Sequence, residues 1–361
     1  MPTVSIIIPH HNDPGLLAPC LESLHHISPD SPSHEVVVVD DASTDNSVER
    51  IQREHPWVRV VRRGENGGFI QAIESGVRDS DSDILVFLNN DTWVERDWLQ
   101  ALVAPLLEGR LEGVTGSILM DWEGKTALYR GVAVNVLGYG FEIRGDLPDP
   151  QGAPIPVLSA CGAAMAIPRS LYVDTGGFDE SYGMIYEDLD LGWRLNLLGY
   201  DCCLIPASRA GHRAHASLGR APFERKARYY LLNPLRTLFK NWDPEDHLEQ
   251  IQMAVTLAQA RERICLLGQT HQPGAIERLF GHRTSTPLVE SLVQEEERTL
   301  GLARKREKIL TKRKRSTRDL FVRFMPEPLR PWFFDEEQRL MLERAGYWAM
   351  EGREYRKRGL L

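Results

Sequence analysis

Apolar and β-branched residues crowd into three short runs in the first 90 positions: VSIII at 4–8, EVVVVD at 35–40 and DILVFLN at 83–89. Each run is bounded by polar turns, the pattern of strands buried on both faces of a parallel sheet. Between them the period changes. Leu16, Leu17, Cys20, Leu21 and Leu24 recur at helical spacing after the turn Asn12-Asp13-Pro14-Gly15, and Ser47, Val48 and Ile51 open a second helical segment. The order β-α-β-α-β predicts right-handed crossovers and a doubly wound α/β sheet.

A second block occupies residues 110–215. GVTGSIL, a DWEGK hairpin turn and GVAVNVLGYGF read as further strands, followed by a Gly/Pro-rich stretch, ACGAAMAIPR and GGFD. In EDLDLGWRLNLLGY (187–200), Leu191, Leu195 and Leu198 fall on one helical face. Beyond about residue 220 the texture becomes long helical patterns. Thr286-Pro287 predicts a cap and first turn of a helix running through EEERTLGLARKREKILTKRKR, with Leu288, Leu292, Glu295, Thr299 and Leu302 sharing a face imperfectly.

An open parallel sheet binds its ligand off the carboxyl ends of its strands. Three polar clusters stand there: Pro9-His10-His11-Asn12, Asp40-Asp41-Ala42-Ser43-Thr44-Asp45 and Asn89-Asn90-Asp91. Asp is common in ordinary turns, yet carboxylates at successive strand ends point to a shared site. No GxGxxG follows the first strand and no GxxxxGK[ST] occurs, which weakens a dehydrogenase or P-loop reading. A nucleotide site short of phosphate-cradling glycines commonly holds a divalent cation on a carboxylate. Asp91 is a hard oxygen ligand suited to Mg²⁺ or Mn²⁺, with Asn90 as a weaker neutral neighbour.

Composition narrows this further. The 361 residues are 42% hydrophobic and 26% charged, enough for a sizeable core and one or two domains. The net charge of −8 argues against a simple nucleic-acid binder. It is also uneven: residues 1–300 carry 26 basic and 42 acidic residues, net −16, whereas 301–330 carry 11 and 3, net +8. That basic segment reads either as a solvated helix face or as a contact with a polyanion or membrane surface. Five scattered cysteines without CxxC fit reduced thiols, and the N-terminal residues lack signal-peptide character, so a cytoplasmic location is expected. The longest uncharged stretch, 150–168, is too rich in Pro and Gly for a spanning helix.

The ordered motifs VSIIIPHHN, VVVVDDASTDNS, RRGENGGF, FLNND, CGAAMAIPRS, GGFDE, YEDLDLGWRLNLLGY and GHRAHAS cover about 215 residues. Together they resemble a family 2 glycosyltransferase of the bacterial rhamnosyltransferase-like group, and RYYLLNPLRTLFK (228–240) extends the match more loosely. The resemblance implies a GT-A fold: a Rossmann-like, mostly parallel sheet in a catalytic domain at 1–220, with a mainly helical region at 221–361. It implies that Pro9, Asp40 and Asp41 contact the base and ribose of a nucleotide-sugar donor, and that Asn66, Gly67 and Gly68 form a loop closing on it. Asn90 and Asp91 match the metal-binding element with Asn in place of its first carboxylate, and His212 a histidine that completes coordination, with His215 as the rival. Asp188 matches the catalytic base, Glu187 and Asp190 are acidic neighbours that could raise its pKa or hold sugar, and Trp193 and Arg194 stand at expected substrate-binding positions.

The implied reaction is inverting transfer from a UDP- or dTDP-sugar, rhamnose being one option, to a hydroxyl of a glycan or lipid-linked glycan in surface polysaccharide synthesis. Two other classes stay open: a non-catalytic scaffold of the same fold, and a sugar nucleotidyltransferase, whose glycine- and lysine-containing start is absent. Phe321, Phe324, Trp332, Phe333 and Phe334 beside the basic run at 304–318 suit peripheral contact through 304–334 with the inner face of a membrane. They equally suit packing on the protein itself or on a second subunit, leaving oligomerisation open.

Overall fold

A computed structural model describes residues 4–213, 223–244, 250–252, 254–255, 258 and 301–324. The three apolar runs form β1 (Val4–His10), β2 (His34–Asp40) and β4 (Ile84–Leu88). Ile6, Ile7, Val37, Val38, Val39 and Leu85 to Leu88 have no solvent exposure, as expected of strands covered on both faces. Helix α1 (Pro14–His25) starts on Pro, and Asp13 caps it by accepting from Gly15 N–H at 3.1 Å. Helix α2 (Ser47–Glu54) follows β2.

One β-α repeat escaped the hydrophobic pattern. Strand β3 (Arg59–Arg62) and helix α3 (Phe69–Asp79) lie between α2 and β4. Only Val60 and Val61 are apolar in β3, and no residue of this edge strand is fully buried, so it lacks a core-strand signature. The parallel order is β3-β2-β1-β4.

The sheet then becomes mixed. Residues after Asp91 form strand β5 (Thr92–Val94), and the next helix, α4, spans Trp98–Leu107. Strand β6 (Gly113–Met120) turns through 121–126 into antiparallel β7 (Ala127–Tyr129), as the DWEGK motif predicts. β8 (Val132–Val134) and β9 (Gly140–Glu142) make a separate two-stranded sheet. β10 (Ile155–Val157), β11 (Ala164–Pro168) and β12 (Asp201–His212) complete the main sheet, with β11 antiparallel between β4 and β6 and β12 parallel to β6. Helices α5 (Arg169–Thr175) and α6 (Glu187–Leu197) precede β12.

By its contacts the chain divides into two compact units, the first comprising Met1–Val132, Glu142–Asn196 and Tyr200–Ala216. The second takes Ala133–Phe141, Leu197–Gly199 and Ser217–Leu361, so two short segments of the first 220 residues belong to it. Within the second unit, α7 (Phe223–Asn241) buries Leu231, Leu232, Leu235 and Leu238 and packs against α8 (Gly301–Lys312). The predicted tail helix thus ends at Lys312, and α9 (Thr317–Phe324) follows a break. Its start at Thr286-Pro287, Leu288, Leu292, Glu295 and Thr299, and the aromatics Trp332, Phe333 and Phe334, lie outside the described residues. Phe321 is fully buried against Trp242, ring centroids 5.2 Å apart, and is therefore no membrane anchor. Among the described residues no helix is long and apolar enough to cross a membrane.

Candidate active site

Pairing of β1 with β2 sets His10 beside Asp40, and the loops that follow are laced together. Asn12 N–H donates to Ser43 Oγ at 2.8 Å, Thr44 N–H to Asn12 Oδ1 at 2.8 Å, and Asp13 N–H to Asp45 Oδ2 at 2.7 Å. Asn12, Asp13 and Ala42 all sit at positive φ, and for Ala42, at 59°, this is backbone strain held by its surroundings. Such strain at a strand end is a mark of functional loops. Pro9 is half-buried in β1, paired with Val39.

Asp40 accepts from Ser43 N–H at 3.1 Å. Asp41 holds the loop of residues 64–68: its carboxylate accepts from Gly67 N–H at 3.0 Å, Gly68 N–H at 2.7 Å and Arg63 Nε at 2.6 Å. Glycine is required there, because a Cβ on Gly67 would lie 2.5 Å from Arg63 Nη2 and Gly68 has φ of 83°. The neighbouring Asn66 is exposed. The two predicted donor-binding motifs are therefore one structure, joined by a buried carboxylate.

The strand pairing of β5 with β12 aligns His212 with Thr92, and Arg213 N–H donates to the Asp91 carbonyl at 3.0 Å. His212 Nε2 lies 3.2 Å from Asp91 Oδ1, yet this buried oxygen receives no hydrogen bond. A carboxylate oxygen and an imidazole nitrogen that converge without hydrogen bonding suit two ligands of one divalent cation. Among the described residues no cluster of three His, Cys, Asp or Glu accompanies them. Asn90 is turned elsewhere, its Nδ2 lying 3.0 Å from His10 Nδ1. Its side chain organises His10 instead of joining Asp91. Burial holds the His10 imidazole below its ordinary pKa, against the opposing pull of Asp40, and its Nε2 is buried without a partner. His215 lies outside the described residues.

Glu187 and Asp188 open α6 after Ile185 and Tyr186, which have φ of 57° and 74°. Asp188 is half-buried and accepts from Gly162 N–H at 2.9 Å and from Leu189 N–H at 2.7 Å. The Cys161 thiol also hydrogen-bonds to it. Burial raises the Asp188 pKa, and these donors oppose the rise. Burial, then the Asp188 charge, pushes Glu187 up to about 8, and its Oε2 has no partner. Two carboxyls thus share the helix start, and the N–H donors on Asp188 favour the negative charge there over Glu187. Cys161 is held as a thiol by burial and by the same charge, which suits no nucleophilic role.

Trp193 and Arg194 require a correction. Trp193 has no exposure, and Arg194 donates Nε to Asp190 at 2.8 Å, Nη1 to Thr175 O at 2.8 Å and Nη2 to Gly177 O at 2.6 Å. Asp190, also fully buried, accepts from Tyr182 OH at 3.1 Å. Arg194 and Asp190 thus anchor α6 to the preceding loop, and the buried Trp193 offers no surface to a ligand.

Sequence reading missed Gly162 and Ala163, which join the halves of the site. Gly162 N–H reaches Asp188 while Ala163 O accepts from Asn89 N–H at 2.9 Å. The partners are backbone groups, so residue identity carries no trace of them. His10 was visible as a polar residue at a strand end, but its bond to Asn90 was not.

This mixed α/β sheet, parallel through β3-β2-β1-β4, is that of the GT-A class. Solved structures agree in fold: GalNAc-T7 with UDP, GalNAc and Mn²⁺ (TM-score 0.55, 20% identity, 73% of this chain and 51% of that one), and the mannosyltransferase PcManGT from Pyrobaculum calidifontis with GDP-Man and Mn²⁺ (0.50, 18%, 86% of each). Residues 5–169 match the Glycosyl transferase family 2 model, and the chain carries a domain of that family. Relatives include N-acetylgalactosaminyltransferase 6 of Drosophila melanogaster (26% identity, 69% of this chain, 42% of the relative) and the O-antigen biosynthesis protein RfbC of Myxococcus xanthus (31%, 64% and 19%). The N-acetylglucosaminyl-diphospho-decaprenol L-rhamnosyltransferase of Mycobacterium tuberculosis is 27% identical over 54% of this chain and 71% of its own length. The chain thus spans under half the length of the first two.

Proposed function

We propose that the chain is an inverting, cation-dependent glycosyltransferase that moves a sugar from a nucleoside diphosphate to a hydroxyl of a glycan or lipid-linked glycan. The observation carrying this reading is the 162–163 segment, which ties the Asp188 carboxylate to the strand end that bears Asp91. Pro9, Asp40 and the Asp41-held loop of Asn66, Gly67 and Gly68 would receive the nucleoside. Asp91 Oδ1 and His212 Nε2 would hold Mg²⁺ or Mn²⁺, which when bound neutralises charge on a leaving diphosphate.

The remaining chemistry belongs to the chain. Asp188, ionised beside a protonated Glu187, accepts the proton of the acceptor hydroxyl as that oxygen attacks the anomeric carbon. Its two backbone N–H donors fix the carboxylate orientation. The donor in this reading is a UDP- or dTDP-sugar; the L-rhamnosyltransferase relative supports rhamnose among the options, and the O-antigen biosynthesis relative supports a role in bacterial surface polysaccharide synthesis.

The test is donor turnover and nucleotide binding in two variants. Asp188→Asn lowers transfer by about 10²-fold or more while leaving nucleoside diphosphate affinity intact. Asp91→Ala weakens the Mn²⁺-dependent part of that affinity. Substantial turnover in Asp188→Asn, or unchanged calorimetric binding in Asp91→Ala, would sink the respective role.

A further inference from the structure

Near Asp188 runs a strap of chain that the mechanism above leaves unused. Residues 142–145 lie antiparallel to 127–131: Ala127 N–H donates to Gly145 O at 2.9 Å, Gly145 N–H to Ala127 O at 3.1 Å, Arg130 N–H to Ile143 O at 2.8 Å and Ile143 N–H to Gly131 O at 2.9 Å. The strap is fastened to the segment that supports α6. Gly131 lies so close to Val157 that a Cβ on it would come within 2.9 Å of Val157 Cγ1. The buried Tyr129 donates its OH to Ser159 O at 2.6 Å, and Ser159 Oγ in turn donates to the Asp188 carbonyl. All of these residues belong to the first unit.

On this strap Glu142, Ile143 and Arg144 are exposed. Alternation along extended chain sets Glu142 and Arg144 on one face, where Arg144 Nη2 donates to Glu142 Oε2 at 2.7 Å. Their side chains are 48% and 55% exposed, and an ion pair so open to water contributes little to stability. The backbone bonds already hold the strap, so folding does not require the pair. The Glu142 charge does reach inward: behind the larger effect of burial, it helps to raise the pKa of Asp188, of the Cys161 thiol and of the Tyr129 hydroxyl. Groups at 129, 161 and 188 feel one carboxylate, which sets Glu142 on the side of the strap that borders Asp188.

A sugar ring carries hydroxyls that donate to carboxylates and accept from guanidinium N–H groups. The hydroxyl that attacks must meet the half-buried Asp188, but one contact leaves the ring free to turn about it. A second polar contact on a rigid strand removes that freedom and aligns the attacking oxygen. Glu142 Oε1 accepts from no other described residue, and it stands on such a strand. We infer that Glu142, steadied by Arg144, receives a second hydroxyl of the acceptor sugar, so that the strap selects a ring bearing a hydroxyl pair. The inference rests on the transferase reading and assigns its acceptor side to residues that no motif marks.

The experiment follows donor consumption and product formation by the full chain with Mn²⁺. The donors are UDP-N-acetylglucosamine, UDP-galactose and dTDP-L-rhamnose; the acceptors are octyl glycosides of glucose, galactose, mannose and N-acetylglucosamine, then the monodeoxy analogues of the best of them. Glu142→Gln is expected to raise the acceptor KM about tenfold, the size of one hydrogen bond to a charged group, with donor KM and Tm unchanged. For the wild type one monodeoxy analogue should show the same tenfold loss, and in Glu142→Gln that analogue should lose its disadvantage. Arg144→Ala should raise the same KM by less. An acceptor KM unchanged in Glu142→Gln overturns the contact, even where the pH profile of kcat moves, since that alone makes Glu142 a charge neighbour of Asp188. A wild type that hydrolyses a donor but transfers to no glycoside also overturns it, and the transferase reading stands. A wild type that consumes no donor strikes both.

Discussion

Glu187 and Asp188 are adjacent, of similar chemistry, and differ in what their surroundings offer. Asp188 receives two backbone N–H donors and the Cys161 thiol, whereas the Glu187 carboxyl is 7% exposed with an unpartnered Oε2. Folding therefore favours a protonated Glu187. Its pKa is raised from 4.5 to about 8, so above 4.5 the folded chain binds a proton that the unfolded chain has released. The stability tied to this group is complete below pH 4.5 and falls as pH rises towards 8. Glu187→Gln, which keeps the neutral shape, should match the wild type in Tm at pH 4.5 and exceed it at pH 8. Parallel Tm curves across that range would contradict the protonated assignment. The acidic pair was legible as a motif, but its division of labour was not, since the deciding donors are backbone groups at Gly162 and Leu189. Trp193 and Arg194 show the opposite error: their positions matched a motif, but both are buried, and Arg194 is engaged by Thr175 O, Gly177 O and Asp190.

At the scale of elements, α6 is the part on which the chemistry depends, because it carries Asp188 against the 158–162 segment. Ser159 Oγ donates to the Asp188 carbonyl at 2.6 Å, and Asn196 Nδ2 donates to Leu158 O at 2.9 Å. The approach is close at Gly192, where a Cβ would lie 2.6 Å from Leu158 O and from Ser159 Cα. Backbone cannot yield as a flexible side chain can. Gly192→Ala should therefore shift α6 outward, cost about 1–3 kcal/mol of stability and lower kcat while nucleotide affinity holds. Denaturant melts and steady-state kinetics check both parts, and wild-type values in both would show that the helix tolerates displacement. The strands that hold this helix were readable where both faces are buried, as in β1, β2, β4 and β6. Strand β3 was not, because an edge strand flanked by Arg59 and Arg62 carries too few apolar positions to register.

For the whole molecule, the uneven charge acquires a structural division. Part of the basic run serves the second unit itself: Arg306 donates to Phe239 O at 2.7 Å, Arg313 pairs with Asp243 at 2.6 Å, and Lys314 N–H donates to Leu197 O at 2.7 Å. These residues answer to folding. Arg304, Lys308 and Lys312 are different: spaced by four on α8, they are exposed on a face away from buried Leu302 and Ile309. With Phe321 committed to Trp242, Phe324 beside Arg323 is the aromatic of α9 left partly exposed, so a membrane contact through the described residues would be mainly electrostatic. Each lysine or arginine near an anionic surface contributes about 1 kcal/mol, so three amount to about 3 kcal/mol, or roughly a hundredfold in partition. Replacing all three with Gln should lower co-sedimentation with anionic vesicles by that order at low salt and leave Tm unaltered. Wild-type binding should itself fade as salt shortens the Debye length to about 3 Å near 1 M. Equal binding by the triple variant and the wild type would make the stripe a solvated helix face.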